Sequence, residues 1–503
     1  MRTVGSAAAG SAAGSARPIT AGELVERALA VPGGADTVGR VVLVTESSEA
    51  VLRWANNTMT TNGHSRSLSW SVISMVALPD GVAAGVVSSS AQVSTVAEIE
   101  RVVATSAAAA RQAGPARDVA ELPEPAEPNG QDWAQPAGET TIGVFGGLAE
   151  QLAEAFGRAG DQRRVLYGFA SHEVATTWLG TSTGVRRRWT QPTGSVELNA
   201  KTADLTRSAW GGRSTPTDAD YAALDLLALD AELATRLDWG ARRLALPAGR
   251  YPTILPPSCV ADLLTYLCWE MSGRTAQEGR SGFSAQPGPG TRVGERLTSL
   301  PITLTSDPFA PDGLATAPFL ATAHSSDQVS VFDNGAPLRR VDWITEGVLS
   351  ALTYPRAAAA EFGAELGTEF GAEPGGSGAE FTAPGENLLL TGGAAGSAAD
   401  LVARTERGLL LTCLWYIRMV DPATLLLTGL TRDGVYLVEG GEVVGEVNNF
   451  RFNESPLDLL RRTTRVGDSE RTLPREFKDW FTRTVMPPLV VPDFNMSSVS
   501  QAS

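Results

Sequence analysis

Residues 428–460 read TGLTRDGVYLVEGGEVVGEVNNFRFNESPLDLL. The runs at 424–430 and 434–438 are short, apolar and broken by Asp-Gly and Gly-Gly turns, the texture of β-strands joined by tight connections. Ser455-Pro456-Leu457-Asp458 then reads as a helix start: a cap, a proline in the first turn and an acid near the positive end of the helix. The same texture extends back to about 241. Short β-like runs recur at 301–305, 329–333, 386–391 and 408–414, and the one clear helix is Val260–Met271, behind a Ser258 cap. Residues 241–497 therefore read as a β-rich C-terminal domain. AAAAEFGAELGTEFGAEPGGSGAEFTAPG, residues 357–385, interrupts it; FGAE recurs at 362 and 370. This is expected to be a mostly exposed insertion with a short helical start.

Upstream, the pattern alternates between helices and strands. A first block, 21–114, opens with a helix at 21–31. Strands follow at Arg40–Thr45, Ala50–Trp54, Leu68–Ala77 and Val82–Ser88, and then a helix with the capping-box pair Thr95 and Glu98. Residues 115–139, rich in Pro, Glu and Ala, read as an extended linker. A second block, 140–240, has a helix carrying Leu148, Leu152 and Phe156. Strands are expected at Val165–Ala170, Val174–Leu179, Val185–Thr190 and Val196–Ala200, and a long helix behind a Thr217 cap. Residues 1–20, containing GSAAAGSAAGSA, read as a disordered leader, without the apolar core of a signal peptide. The fold class is α+β: mixed α/β N-terminal and central domains followed by a β-rich C-terminal domain.

Composition narrows the function. The chain has 503 residues, 43% hydrophobic and 19% charged, enough for several cores. A net charge of −15 argues against non-specific nucleic-acid binding, which depends on Lys and Arg. No apolar run approaches the ~20 residues needed to span a bilayer. Three widely spaced cysteines, Cys259, Cys268 and Cys413, make no disulfide framework and suit a reducing cytoplasm. In that compartment the glycosylation triplets at Asn56, Asn453 and Asn495 would be idle.

No motif supplies a catalytic centre. His172-Glu173 is the only His-Glu pair, and a zincin helix needs a second histidine at i+4, where Thr176 stands. His172 reads as a strand-end residue, and His64 and His324 fall in polar turns. Gly180-Thr181-Ser182-Thr183-Gly184 matches G-x-S-x-G, but the run after it looks like a strand, so a hairpin turn is expected in place of a nucleophile elbow. Gly288-Pro289-Gly290 through Gly294 lacks the Lys-Ser/Thr ending of a phosphate loop. Cys259 sits in a first helical turn, where a thiolate could be stabilised, yet buried structural cysteine is the default for all three. Arg186, Arg187 and Arg188 alternate along a strand and read as a solvated edge.

Taken in order, several strings resemble the TldD/PmbA metallopeptidase family: DGVAAGVVSS at 80–89, LYGFASHEVATTWLGTSTGVRRR at 166–188, YPTILPPSCVADLL at 251–264, SDPFAPDG at 306–313, DNGAPLRRVDWITEGVLSAL at 333–352, ENLLLTGG at 386–393 and the 428–460 stretch. The resemblance implies that family's fold and a cytoplasmic peptidase system acting on unfolded or small modified peptides. In TldD-type members a His-Glu-x-x-x-His motif holds zinc on the helix after the 251–255 strand. Here that region reads Pro257-Ser258-Cys259-Val260-Ala261-Asp262-Leu263, and 241–323 holds no histidine. The resemblance therefore implies a PmbA/TldE-like subunit without catalytic or metal-binding residues and with no cofactor of its own. Zinc is expected in a TldD-type partner, and neither nucleic acid nor membrane is an expected partner. The substrate-binding residues are left unassigned. Two alternatives stay open: a metal-free hydrolase using Ser182 or a cysteine, and a non-proteolytic peptide-binding or maturation protein.

Overall fold

The computed structural model describes residues 19–500 apart from 94, 127, 287 and 366–378. The leader up to residue 18 and the middle of the 357–385 insertion lie outside the described residues. The chain runs through α1 (Ala21–Ala30), β1 (Thr37–Ala55), β2 (Thr58–Leu78), β3 (Gly81–Ser89) and α2 (Val96–Gln112). Next come α3 (Gly146–Asp161), β4 (Arg164–Thr181), β5 (Arg186–Thr202), β6 (Ser208–Ser214), α4 (Asp218–Ala223) and α5 (Leu226–Trp239). The C-terminal half begins with β7 (Arg243–Leu244), β8 (Gly249–Leu255), α6 (Pro257–Trp269), α7 (Gly273–Gln277), β9 (Thr303–Ser306), β10 (Val341–Thr345) and β11 (Val348–Leu349). It continues with α8 (Arg356–Glu365), β12 (Leu388–Thr391), α9 (Ala398–Ala403), β13 (Arg407–Asp421), β14 (Leu426–Glu439), β15 (Glu442–Val447) and β16 (Phe450–Glu454). It ends with α10 (Pro456–Arg462), β17 (Arg465–Val466), β18 (Glu470–Thr472), β19 (Thr484–Met486) and β20 (Leu489–Val499). This is the α+β, multi-domain architecture the sequence implies.

Blocks 21–114 and 140–240 share one antiparallel sheet, ordered β3-β2-β1-β4-β5-β6. Side chains alternate between the faces of a strand. On one face Val42 and Val44 of β1 pack under α1 and α2, and farther along Ala50, Leu52 and Trp54 pack under α3 and α5. On the other face Val41 and Leu43 meet Phe319, Val331 and Phe332 of the C-terminal half. Both faces of β1 are thus packed. The sheet seats the helices close: a Cβ at Gly85 would stand 2.2 Å from Ala110 N and Ser106 O of α2.

The strands are longer than the sequence suggests. Arg40–Thr45 and Ala50–Trp54 belong to one 19-residue strand, and the β1–β2 turn falls at Asn56-Asn57, both with positive φ (52° and 57°). Two such residues match the twist of a two-residue hairpin, so Asn62-Gly63-His64 runs on as strand in place of the expected polar turn. Likewise the expected runs 424–430 and 434–438 merge into one strand, β14, from Leu426 on; it is irregular at Asp433-Gly434, where both residues have positive φ. The 329–333 run forms no strand and holds one 3-10 turn, Val331–Asp333. The long helix after Thr217 is two: Thr217 caps α4, and Asp225 accepts from Ala228 N and starts α5. Proline opens α6, so Ser258 lies inside its first turn and donates to Thr412 O.

The C-terminal half has two sheets, β11-β10-β9-β12-β19-β18 and β13-β8-β20-β16-β14-β15-β7; β13 also pairs with β14, which closes a five-strand ring. One continuous core joins them, and α6 supplies Cys259, Val260, Leu263, Leu264 and Leu267 to it. The described start of the insertion belongs to this core too. Phe362 of α8 is buried, with its ring beside Tyr354 and under the Arg274 guanidinium.

Candidate functional site

Helix α6 is apolar on almost every side, with one exception. Asp262 is fully buried. A bare carboxylate there would be very costly, and backbone donors offset that cost. Arg475 N–H donates to Oδ2 at 3.1 Å, and Glu476 and Phe477 N–H donate to Oδ1 at 2.9 and 3.2 Å. Burial pushes this carboxyl up to about 8, and the three N–H groups pull it back down. Asp262 thus pins the 474–483 segment onto α6.

That segment reaches in two directions. Inward, the Arg475 guanidinium lies 5.1 Å from the Trp210 ring and 4.6 Å from the Trp415 ring, and 3.6 Å from Glu197 of β5. Lys478 also reaches Glu197, at 3.0 Å, and Trp210 Nε1 donates to it. Outward, Phe477 stacks edge-on against Tyr266 and Trp269 of α6. Tyr416 N–H donates to the Glu476 carboxylate, and the Tyr416 and Trp480 side chains stand exposed beside this cluster, at 56% and 73%.

The fold brings two of the three histidines together. His64 on β2 and His172 on β4 both stand opposite Ala50 of β1. Ser48 Oγ lies 3.0 Å from His64 Nε2 and accepts from Thr140 N–H at 3.1 Å; Thr140 Oγ1 lies 2.7 Å from His172 Nδ1, and His172 Nε2 lies 3.3 Å from Pro216 O. The Pro216 carbonyl can only accept, so Nε2 carries the proton and Nδ1 accepts from Thr140. Burial lowers the His172 pKa, which keeps this ring neutral. His172 is a buried mid-strand residue, not a strand-end one, because β4 runs on to Thr181. The chain of hydroxyls ties β2, β1 and β4 together; Ser48 is buried and its hydroxyl is bonded to both the N–H and the carbonyl of Thr140, a structural tie closed to substrate. His324 stays apart, beside Thr322 in a loop.

The other residues weighed from the sequence have structural partners. Ser182 lies in the β4–β5 hairpin, not a strand-to-helix elbow, and its Oγ accepts from Arg40 N–H. Cys259 and Cys413 are buried, which pushes both thiols up, and burial pushes Cys268 up to about 12. The arginine run fastens the linker instead of forming a solvated edge. Arg186 pairs with Glu26 and its N–H donates to Asn129, Arg187 donates to the Ala126 and Pro128 carbonyls, and Arg188 donates to Pro136 O. The linker's carbonyls lie within reach only after folding, so no spacing in the chain signals this role. A charged residue at 262 inside an apolar helix was the legible sign of the Asp262 clamp.

Zinc needs several converging His, Cys or carboxylate ligands. Among the described residues no three such side chains converge. The Asp262 carboxylate is already occupied by N–H donors. The residues of α6 do not fit the family's metal.

Comparison with curated proteins returns no match. Family models do match: the PmbA/TldA metallopeptidase central domain over residues 134–244 and the PmbA/TldA metallopeptidase C-terminal domain over 248–498. Among solved structures, TldE from Thermococcus kodakarensis is similar at 17% identity and TM-score 0.67, over 91% of this chain and 96% of that one. A protein from Thermotoga maritima described as a proposed modulator of a DNA gyrase gives 17% and 0.65, over 91% and 95%. One so described from Bacteroides thetaiotaomicron gives 14% and 0.67, over 95% and 97%. These likenesses are of fold, and the domain models carry the family. The chain belongs to the PmbA/TldD metallopeptidase family.

Proposed function

We propose that this chain is the PmbA/TldE-type, non-catalytic subunit of a heteromeric cytoplasmic zinc peptidase, and that a TldD-type partner carries the metal and cleaves unfolded or modified peptides. The observation that carries the reading is α6: where the family's metal motif belongs, its inward residues are apolar and its one carboxylate is used to hold a loop. Tyr416, Trp269 and Trp480, exposed around Phe477, offer an aromatic face of the kind enriched in interfaces. No helix among the described residues is long and apolar enough to cross a membrane.

The test is a peptide-digestion assay on this chain, a cognate TldD-type protein and their mixture, with zinc content measured on each. This chain alone should be inactive and carry well under one zinc per molecule; the mixture should cleave, and chelator should abolish cleavage. Ser182→Ala, Cys259→Ala and His172→Ala should leave the mixture largely active. Chelator-resistant cleavage by this chain alone, lost in one of those variants, would overturn the proposal in favour of a metal-free hydrolase.

A further inference from the structure

Apart from α6 and the aromatic face, one pocket stands out by charge. It has a volume of about 630 Å³, within the range of small-molecule sites, and lies between α10, the start of β8, the end of β16, the middle of β20, the turn before β14, and the 282–297 segment. In a chain of net charge −15, its lining holds five arginines (Arg250, Arg292, Arg296, Arg461 and Arg462) against three carboxylates.

The carboxylates are each taken. Glu295 is gripped by both arms of Arg292 at 2.7 Å, Arg461 holds Asp458, and Arg462 holds Glu454. Two arginines are left with weaker partners. Arg296 has no carboxylate within 4.0 Å among the described residues and donates to the Thr298 and Glu346 carbonyls. Arg250 donates to Asp493 O, with the nearest carboxylate oxygen 3.9 Å away. The charges act across the same space: Arg461 helps hold the Glu295 carboxyl below its ordinary range, after the larger effect of Arg292. Neutral donors share the lining, among them Ser284 and Asn495. Ser284 pairs with Thr291 at the base of the Gly-rich turn, so this loop, which lacks a phosphate-loop ending, nonetheless borders the pocket.

A guanidinium presents a planar fork of donors that matches carboxylate and phosphate oxygens. We propose that this pocket binds an oxyanion group, phosphate or carboxylate, between Arg250, Arg296 and Arg461. The proposal stands apart from the pairing with a catalytic subunit.

The experiment is titration calorimetry on the full chain at low ionic strength in an anion-poor buffer. The probes are inorganic phosphate, citrate, and one short peptide with either a free or an amidated C-terminus. Arg250→Gln/Arg296→Gln breaks no close ion pair and should keep the wild-type melting temperature without ligand; Arg296→Gln alone is the milder variant. Loss of a charged hydrogen-bond donor weakens binding by about tenfold, so the double variant should bind at least that much more weakly. Arg213→Gln/Arg407→Gln removes the same net charge elsewhere and should bind like wild type. Phosphate binding without a free-terminus preference assigns the site to phosphate, and preference for the free over the amidated peptide assigns it to carboxylate. Failure of every probe to bind, or equal binding by wild type and the Arg250/Arg296 variants, overturns the proposal.

Discussion

Asp262→Asn isolates the buried carboxyl on α6. Burial raises this group to about 8 from an ordinary value of 3.8, against the pull of three N–H donors. A carboxyl raised in the native state keeps a proton that the unfolded chain has already released. Its contribution to stability is therefore fully present below about pH 4, falls as pH rises toward 8, and is constant above that. One proton of difference corresponds to ~1.4 kcal/mol per pH unit, so the contribution changes by on the order of 4 kcal/mol between pH 5 and pH 8. Asparagine has no proton to lose. At pH 5 it is a neutral near-isostere, destabilising by roughly 1–3 kcal/mol because its amide group would face the Arg475 N–H. The stability of wild type relative to the variant should then decline by several kcal/mol from pH 5 to pH 8. Denaturant melts of both proteins at four pH values give this difference, and other raised carboxyls, such as Asp333 and Glu454, are common to both and cancel. A difference that stays flat from pH 5 to 8 would refute the reasoning: the N–H donors would then outweigh desolvation and hold Asp262 ionised throughout.

Gly85→Ala should lower stability by about 1–3 kcal/mol, because the new methyl meets backbone atoms of α2 that cannot turn aside; an unchanged melting temperature would show that α2 has room to shift. His172 should stay neutral below the 6.5 of a free imidazole, as seen by NMR titration of the ring. With its native pKa depressed, the unfolded chain protonates first, so this residue lowers stability as pH falls through about 6.5; His172→Gln should flatten that acid limb, and a ring titrating at or above 6.5 would contradict the assignment.

Local patterns gave the elements and long-range pairing gave their joins. Thr95 and Glu98 are three residues apart, so the capping box they form was legible from spacing alone. The Ser-Pro-Leu-Asp start of α10 was legible for the same reason, although Ser455 caps it without a side-chain bond to the helix. The shared sheet was not, because β1 meets β4 across more than a hundred residues, and alternation in one strand does not name its neighbour. Local pattern places His64 in a turn and His172 at a strand end; both are mid-strand, and Ala50 stands between them only once β2 and β4 flank β1. Composition places Phe362 in an exposed insertion; its burial depends on Tyr354 and Arg274, which lie outside that segment.

A chain whose α6 does not fit the metal nonetheless keeps a buried carboxyl group on that helix. A leucine at 262 would suit the apolar core and would leave three N–H groups of 475–477 without acceptors, at about 1–3 kcal/mol each. The carboxylate fixes the backbone of the segment whose next contacts are Glu197 and Trp210 on the first sheet and Trp415 on β13. It also fixes the segment that buries Phe477 against Tyr266 and Trp269 and presents Trp480 at the surface. One buried group thus sets both the join between the two halves of the molecule and the shape of the aromatic face. If that face receives a partner, Asp262→Ala should weaken the pairing through a displaced loop while the first sheet stays folded. Hydrogen exchange would show this as faster exchange at 475–483 with unchanged protection in β1 and β4, and equal loss of protection throughout would refute it.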